Sequence, residues 1–246
     1  MFVNLRTPAM VYNWFERVST IIYPARCLLC GDSGHQGLDI CQHCLNDLPW
    51  NRQPCQRCAL PLPSSATTAL CGQCLANPPD FEHSIAALEY NPLSSWLISG
   101  LKFRNQLGHG RLLGRILAEQ IAASAAWLPD YIVPVPLHRQ RLGERGYNQA
   151  LEIARPIARQ LGLPLNIRLV SRQRKTDAQS GLKRAARQKN MHGAFSVQRS
   201  LQGQSVAIVD DVVTTTATVR ELAKCLRKAG AARIQVWAVA RAGGGK

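Results

Sequence analysis

Val206-Ala207-Ile208-Val209-Asp210-Asp211-Val212-Val213-Thr214-Thr215-Thr216-Ala217-Thr218 reads as a buried strand that ends on two acids and passes through a threonine-rich turn into a helix. The unbroken apolar run Val206–Val209 lacks the alternation of a half-exposed strand, so both of its faces should be covered. The strand is expected to end at Asp210 and the helix to span Thr216–Ala229. Helix N-terminal amides and threonine hydroxyls suit a phosphate, and paired carboxylates suit ribose hydroxyls and a hydrated Mg²⁺. Read alone, the same residues also fit an ordinary helix cap and turn.

Working outward, helix and strand signals alternate. Ser84–Tyr90 and Tyr131–Val135 read as strands, as does the apolar run Ile234–Ala240. Leu112, Leu113, Ile116, Leu117, Gln120 and Ile121 mark one helix, and Ala150, Leu151, Ala154, Ile157, Ala158 and Leu161 mark another over Asn148–Leu161. Strands separated by helices predict an α/β fold with a parallel sheet and helices on both faces.

Eight of the nine cysteines form four CxxC pairs: Cys27/Cys30, Cys41/Cys44, Cys55/Cys58 and Cys71/Cys74. Two such pairs complete a tetrahedral four-cysteine shell, so the array predicts two structural zinc ions with no open coordination position. Sequential pairing, the first two pairs together and the last two together, is the preferred arrangement; cross-bracing is the alternative. Thiol redox chemistry needs only one pair and a thioredoxin-like context, so it ranks below metal. Gly31 and Gly72 are expected in tight turns of the module, His35 and His43 on its surface, and Cys225 as a small apolar residue of a helix.

The net charge of +15 is polarised. Residues 1–90 carry 5 Lys and Arg against 7 Asp and Glu, whereas residues 91–246 carry 25 against 8. With 46% hydrophobic residues, this composition fits a globular protein with an anionic partner and excludes a disordered chain. No apolar run approaches the roughly 18–20 residues that span a bilayer, and no secretory signal pattern opens the chain, so a cytoplasmic location is expected. The expected organisation is an amphipathic helix over 1–23, a cysteine module over 24–80 and an α/β domain over 81–246.

The acid–threonine segment resembles the motif for 5-phosphoribosyl 1-diphosphate (PRPP) in type I phosphoribosyltransferases. Together with the cysteine pairs, Val133-Pro134-Val135-Pro136-Leu137-His138, Arg145-Gly146-Tyr147-Asn148-Gln149 and Leu101-Lys102-Phe103, it is similar to the ComF/GntX family, whose members join a double zinc ribbon to a type I phosphoribosyltransferase-like domain. The resemblance implies that Asp210 and Asp211 meet the ribose hydroxyls, with Mg²⁺ accompanying PRPP. It also implies that Thr214, Thr215, Thr216, Ala217 and Thr218 hold the 5-phosphate, and that Val135, Pro136 and Arg139 lie on the diphosphate side. Lys102, Arg141, Arg145 and the basic run containing Arg172, Arg174, Lys175, Arg184 and Arg187 fall on a rim or flexible loop that meets diphosphate or a nucleic-acid backbone. A solvated face is the alternative for any single arginine.

Thr216 departs from the family pattern, which has glycine there. Either the loop keeps a right-handed conformation or phosphate binding is weakened. By resemblance the protein handles single-stranded DNA, for transformation or as nutrient, with DNA-uptake proteins as partners. Phosphoribosyl transfer in nucleobase salvage and PRPP sensing are the other readings. Aromatic residues make up only 6% of the chain, leaving Phe103, Tyr147 and Phe195 as candidate base-stacking platforms.

Overall fold

The computed structural model describes residues 24–173 and 193–243. The expected helix over 1–23 and the basic residues Arg174, Lys175, Arg184 and Arg187 lie outside the described residues. The chain divides into two compact units, one ending at Leu48 and the other beginning at Pro49.

In the first unit the Cys27 carbonyl accepts from the Gly31 amide at 2.8 Å, closing a tight knuckle. Helix α1 (Gln42–Asn46) then starts at Cys41, whose sulfur accepts from the Cys44 amide. The second unit opens on the same plan. The Ala59 amide donates to the Cys55 carbonyl at 2.8 Å, and helix α2 (Gly72–Ala76) follows Cys71. Gly31 takes a left-handed φ of 82°, as expected, but Gly72 simply begins a helix. The second knuckle's left-handed residue is Ala59, at φ 55°. The turn imposes the conformation there because its hydrogen bonds require it, although a β-carbon disfavours it.

The rest of the second unit runs β1 (His83–Glu89), α3 (Pro92–Phe103), α4 (Leu107–Ser124), β2 (Tyr131–Pro134), α5 (Arg139–Arg145), α6 (Gln149–Leu161), β3 (Val170–Arg172), β4 (Phe195–Val197), β5 (Ser205–Val213), α7 (Ala217–Lys228) and β6 (Arg233–Arg241). Strands β1, β6, β5 and β2 form, in that order, a fully parallel sheet, and β3 pairs antiparallel with β4. Among the described residues no helix is long and apolar enough to cross a membrane.

Val206, Ala207, Ile208 and Val209 are all 0% exposed. At about 1.5–3 kcal/mol for each large apolar side chain, their burial anchors β5 at the sheet centre. Val206 and Ile208 join Ile234 and Val236 in one core with Val219, Leu222, Ala223 and Leu226 of α7. Alternation sends Ala207 and Val209 to the other face, where α6 packs on β2 and β5 and α4 packs on β1 and β6. Helix α4 buries the predicted stripe of Leu112, Leu113, Ile116, Leu117 and Ile121. Asn148 caps α6 through its side chain, accepting from the Ala150 amide at 3.0 Å. Gly114 lets α4 and α6 approach closely, since a β-carbon there would lie 2.3 Å from Cγ of Pro156.

Strand β5 does not stop at Asp210. Its pairing with β6 continues through Asp210↔Ala238 and Val212↔Ala240 to Val213. The parallel ladder is a backbone interaction, so it outlasts the apolar run and carries both acids within the strand's last residues.

Candidate functional site

The two acids differ in surroundings. Asp211 is buried, and its Oδ1 accepts from the Val212 amide at 2.6 Å and pairs with Nζ of Lys102 at 3.0 Å. Its Oδ2 is buried without a hydrogen-bond partner among the described residues. Asp210, partly exposed, accepts from the Asp211 amide at 2.9 Å. Burial first and the Asp211 charge second push the Asp210 carboxyl up to about 7, against the opposing pull of Lys102, the Asp211 amide and Arg172. Lys102 reaches the pair from the last turn of α3, where the neighbouring Leu101 carbonyl accepts from the Tyr147 hydroxyl. Sequence reasoning assigned Lys102 to the rim; the structure sets it against Asp211.

After β5 the chain turns at Thr216 into α7. Thr216 is buried in a left-handed conformation, φ 62°, ψ −1°. The right-handed alternative is therefore not adopted: the loop keeps the conformation that favours glycine while carrying a β-branched residue. The hydroxyl turns inward, donating to the Thr215 carbonyl at 2.6 Å and accepting from Nε of Arg220 at 3.1 Å. No side chain caps α7 at this residue, and its first turn holds no acid. The leading amides thus face a small, open concavity of about 30 Å³, lined by Asp210 and residues 212–219. Such a helix terminus attracts anions.

Left-handed backbone costs a β-bearing residue about 1–2 kcal/mol, which the buried hydroxyl contacts offset here. Thr216→Val, which keeps the branch and loses the hydroxyl, should therefore destabilise the protein by about 1–2 kcal/mol. Thr216→Gly should stay within about 1 kcal/mol of wild type. Urea midpoints of the three proteins check the order, and a Val variant as stable as wild type would remove the offsetting role given to the hydroxyl.

Val135 continues the pairing of β2 alongside β5, its amide donating to the Val209 carbonyl at 2.9 Å. It and Pro136 therefore stand beside the start of the acid pair. The Val135 carbonyl accepts from Nδ2 of Asn148 at 3.0 Å, which fixes this turn to the start of α6. Arg139 is exposed at the start of α5. Arg172 is half-buried, lies over the Phe195 ring and feels the charges of Arg141 and Asp210.

The aromatic candidates separate. Phe103 is 72% exposed, with the Arg145 guanidinium 5.3 Å from its ring centroid. Tyr147 is half-buried, and Phe195 is buried, which removes it as a stacking platform. Trp96, which the sequence reading did not single out, is partly exposed beneath Arg104 at 5.9 Å. It lies seven residues before Phe103 on α3, hence on the same helix face, and that spacing was the available signal.

The sulfurs gather in the sequential pairing: Cys27, Cys30, Cys41 and Cys44 form one cluster, and Cys55, Cys58, Cys71 and Cys74 the other, each with its Sγ atoms within 4.8 Å of one another. Cys30 to Cys41 and Cys58 to Cys71 are both 3.7 Å. A tetrahedron with zinc–sulfur bonds of about 2.3 Å has edges of about 3.8 Å, so both clusters fit zinc. Burial raises the Cys27 thiol, but the amides of Cys41, Cys30 and Leu29 outweigh it and bring it down to about 6. Cys44 and Cys74 are pushed up by burial and by the neighbouring thiols. Four such sulfurs ionise together only around a cation. Two structural zinc sites follow.

A family model described as a double zinc ribbon domain matches residues 18–75, and one described as a phosphoribosyl transferase domain matches residues 147–246. DNA utilization protein YhgH of Escherichia coli K12 is 36% identical over 89% of this chain and 97% of its own length. Competence protein F of Haemophilus influenzae is 35% identical over 88% and 97%. The chain belongs to the ComF/YhgH family. Among solved structures, a purine phosphoribosyltransferase from Pyrococcus horikoshii aligns with a TM-score of 0.34 at 20% identity, over 54% of this chain and 72% of that one. In this ComF/YhgH chain the parallel sheet is phosphoribosyltransferase-like, and the second four-cysteine cluster lies in the same compact unit as that sheet.

Proposed function

We propose that this protein handles single-stranded DNA, a reading in line with the DNA-utilization and competence names of its relatives, and binds PRPP with Mg²⁺ at the end of β5. What carries the ligand half of the reading is the juxtaposition of the Asp210–Asp211 pair with the uncapped start of α7. The α7 amides and the hydroxyls of Thr214, Thr215 and Thr218 take the 5-phosphate, while Asp210 and Asp211 accept from the ribose hydroxyls. Val135, Pro136 and Arg139 border the diphosphate. The buried Oδ2 of Asp211, unpartnered among the described residues, fits a site completed by a donor or cation, and the two acids would hold hydrated Mg²⁺ beside the ligand. That ion would neutralise diphosphate charge; the rest of the recognition belongs to the protein's own groups. The DNA half rests on the charge of residues 91–246 and on Phe103 and Trp96 under their arginines, with Lys102, Arg141, Arg145 and Arg172 near the same strand ends.

Titration calorimetry with Mg²⁺–PRPP tests the ligand half. Loss of a charged acceptor for a ribose hydroxyl costs about 1.5–3 kcal/mol, so Asp210→Asn and Asp211→Asn should each weaken binding roughly 10- to 100-fold. Absence of binding heat in wild type would leave the acid pair as scaffold. Pyrophosphate release with nucleobases present distinguishes transfer from binding.

The raised pKa of Asp210 adds a pH test. A carboxyl that ionises near 7 in the folded state and near 4 in the unfolded one favours folding fully below pH 4, and that contribution disappears as pH rises through 7. Asp210→Asn should therefore gain stability relative to wild type between pH 5 and 8. Wild-type PRPP affinity should rise over the same interval while the variant's stays nearly level. Parallel pH profiles for the two proteins would contradict this assignment.

A further inference from the structure

We infer that Arg241 links the second four-cysteine site to the phosphate loop, so that metal held by Cys55, Cys58, Cys71 and Cys74 stabilises the loop and a loop ligand in turn retains the metal. Arg241 closes β6 and is 4% exposed. Its Nε donates to the Cys58 carbonyl at 2.9 Å. Its Nη1 donates to the carbonyls of Val213 at 3.0 Å, Ala242 at 2.6 Å and Thr214. One side chain thus spans a zinc knuckle and the two residues that lead into Thr215 and Thr216. Arg220 supplies a second tether from α7, donating through Nη2 to the Asn77 carbonyl just beyond α2 at 2.8 Å and through Nε to Thr216.

The charge balance points the same way. Among the described residues the backbone acceptors of Arg241 are all neutral carbonyls, its side-chain partner is the Cys58 sulfur, and a buried guanidinium without an anion is costly. Among the described residues, the anion-forming groups beside it are the Cys58, Cys71 and Cys74 thiols. Four thiolates around Zn²⁺ carry a net charge of −2, so the metal-loaded site supplies the missing counter-charge. Metal loss removes that charge and frees the Cys58 knuckle, and the loop holding Thr216 left-handed loses its anchor. Linkage makes the effect reciprocal. The reciprocal half rests on the PRPP reading above; the metal-to-loop half does not.

The test compares wild type, Arg241→Gln and Arg241→Lys. Competition with a chromogenic chelator reads zinc affinity, and hydrogen exchange reads the loop amides 213–219, with the β6 amides 235–239 as the foldedness control. Arg241→Gln should weaken one of two zinc ions roughly 10- to 100-fold, as loss of outer-shell partners does, and should speed loop exchange while β6 stays protected. Arg241→Lys, which keeps the charge, should fall between. Cys44→Ser, confined to the first cluster, should leave loop exchange unchanged. Unchanged zinc affinity and loop exchange in Arg241→Gln overturn the inference.

If that variant unfolds, wild type decides: Mg²⁺–PRPP should slow release of one zinc and not the other. PRPP that binds by calorimetry yet leaves both release rates unchanged overturns the linkage. Absence of PRPP binding instead defeats the ligand reading, and loop exchange in Arg241→Lys then decides the metal half, with wild-type exchange overturning it.

Discussion

Cys74→Ser should cost the protein about 3–5 kcal/mol, the range seen when one member of a buried charged assembly is removed, and should lower its main melting transition by about 6–20 °C. Cys55, Cys58, Cys71 and Cys74 are 0–7% exposed and share a core with Leu222, Leu226, Ile234 and Val236. Opening that shell leaves labile metal and unscreened thiols inside the sheet's own packing. Cys30→Ser should also lose one of two zinc equivalents, but Cys30 is exposed and belongs to the unit ending at Leu48. The main transition should then move by only a few degrees. Metal analysis with the thermal transition of the buried Trp237 checks both variants. Equal melting shifts for the two would contradict the different burial of the clusters, and zinc-free wild type would remove both sites.

The contrast marks what the sequence could reveal. The CxxC spacing predicted two four-cysteine sites because ligand geometry is local, and the preferred sequential pairing is the observed one. That Cys55–Cys74 would share a core with α7 depends on contacts far apart in sequence, such as Arg241 with Cys58, which no local pattern encodes. Likewise, Val206–Val209 identified β5, but the strand's persistence through Asp210 and Asp211 needed β6 beside it, since aspartate opposes strand formation on its own. Helix α3 was not read because Ser94, Ser95 and Gly100 dilute its apolar pattern. Its start was nonetheless written in a reciprocal cap, the Asn91 side chain accepting from the Ser94 amide at 3.0 Å and the Ser94 hydroxyl accepting from the Asn91 amide at 2.9 Å. With α3 unread, Lys102 had no route to Asp211 and Trp96 had no helix face to share with Phe103.

Single-stranded DNA should bind with a steep salt dependence set by the number of phosphates neutralised. Arg104, Arg139, Arg141 and Arg145 lie on α5 and at the end of α3 beside the exposed Phe103, and Arg184 and Arg187 add two charges from outside the described residues. Six contacts to a single strand give a log–log slope of roughly −4, so the binding constant should fall about 300-fold between 50 and 200 mM salt. Arg104→Ala with Arg145→Ala removes two contacts, which should lower the slope to roughly −3 and the fall to about 50-fold. The same pair strips the guanidinium from both aromatic rings without touching the acid pair, so PRPP binding should survive it. Phe103→Ala should behave differently: loss of one base-stacking platform costs about 1–3 kcal/mol at every salt concentration and leaves the slope unchanged. Fluorescence anisotropy with a labelled oligonucleotide separates these outcomes. A salt-independent affinity, or a double arginine variant with the wild-type slope, would place the DNA surface elsewhere. A phenylalanine variant whose loss vanished at high salt would mean that Phe103 acts only by positioning Arg145, not by stacking on bases.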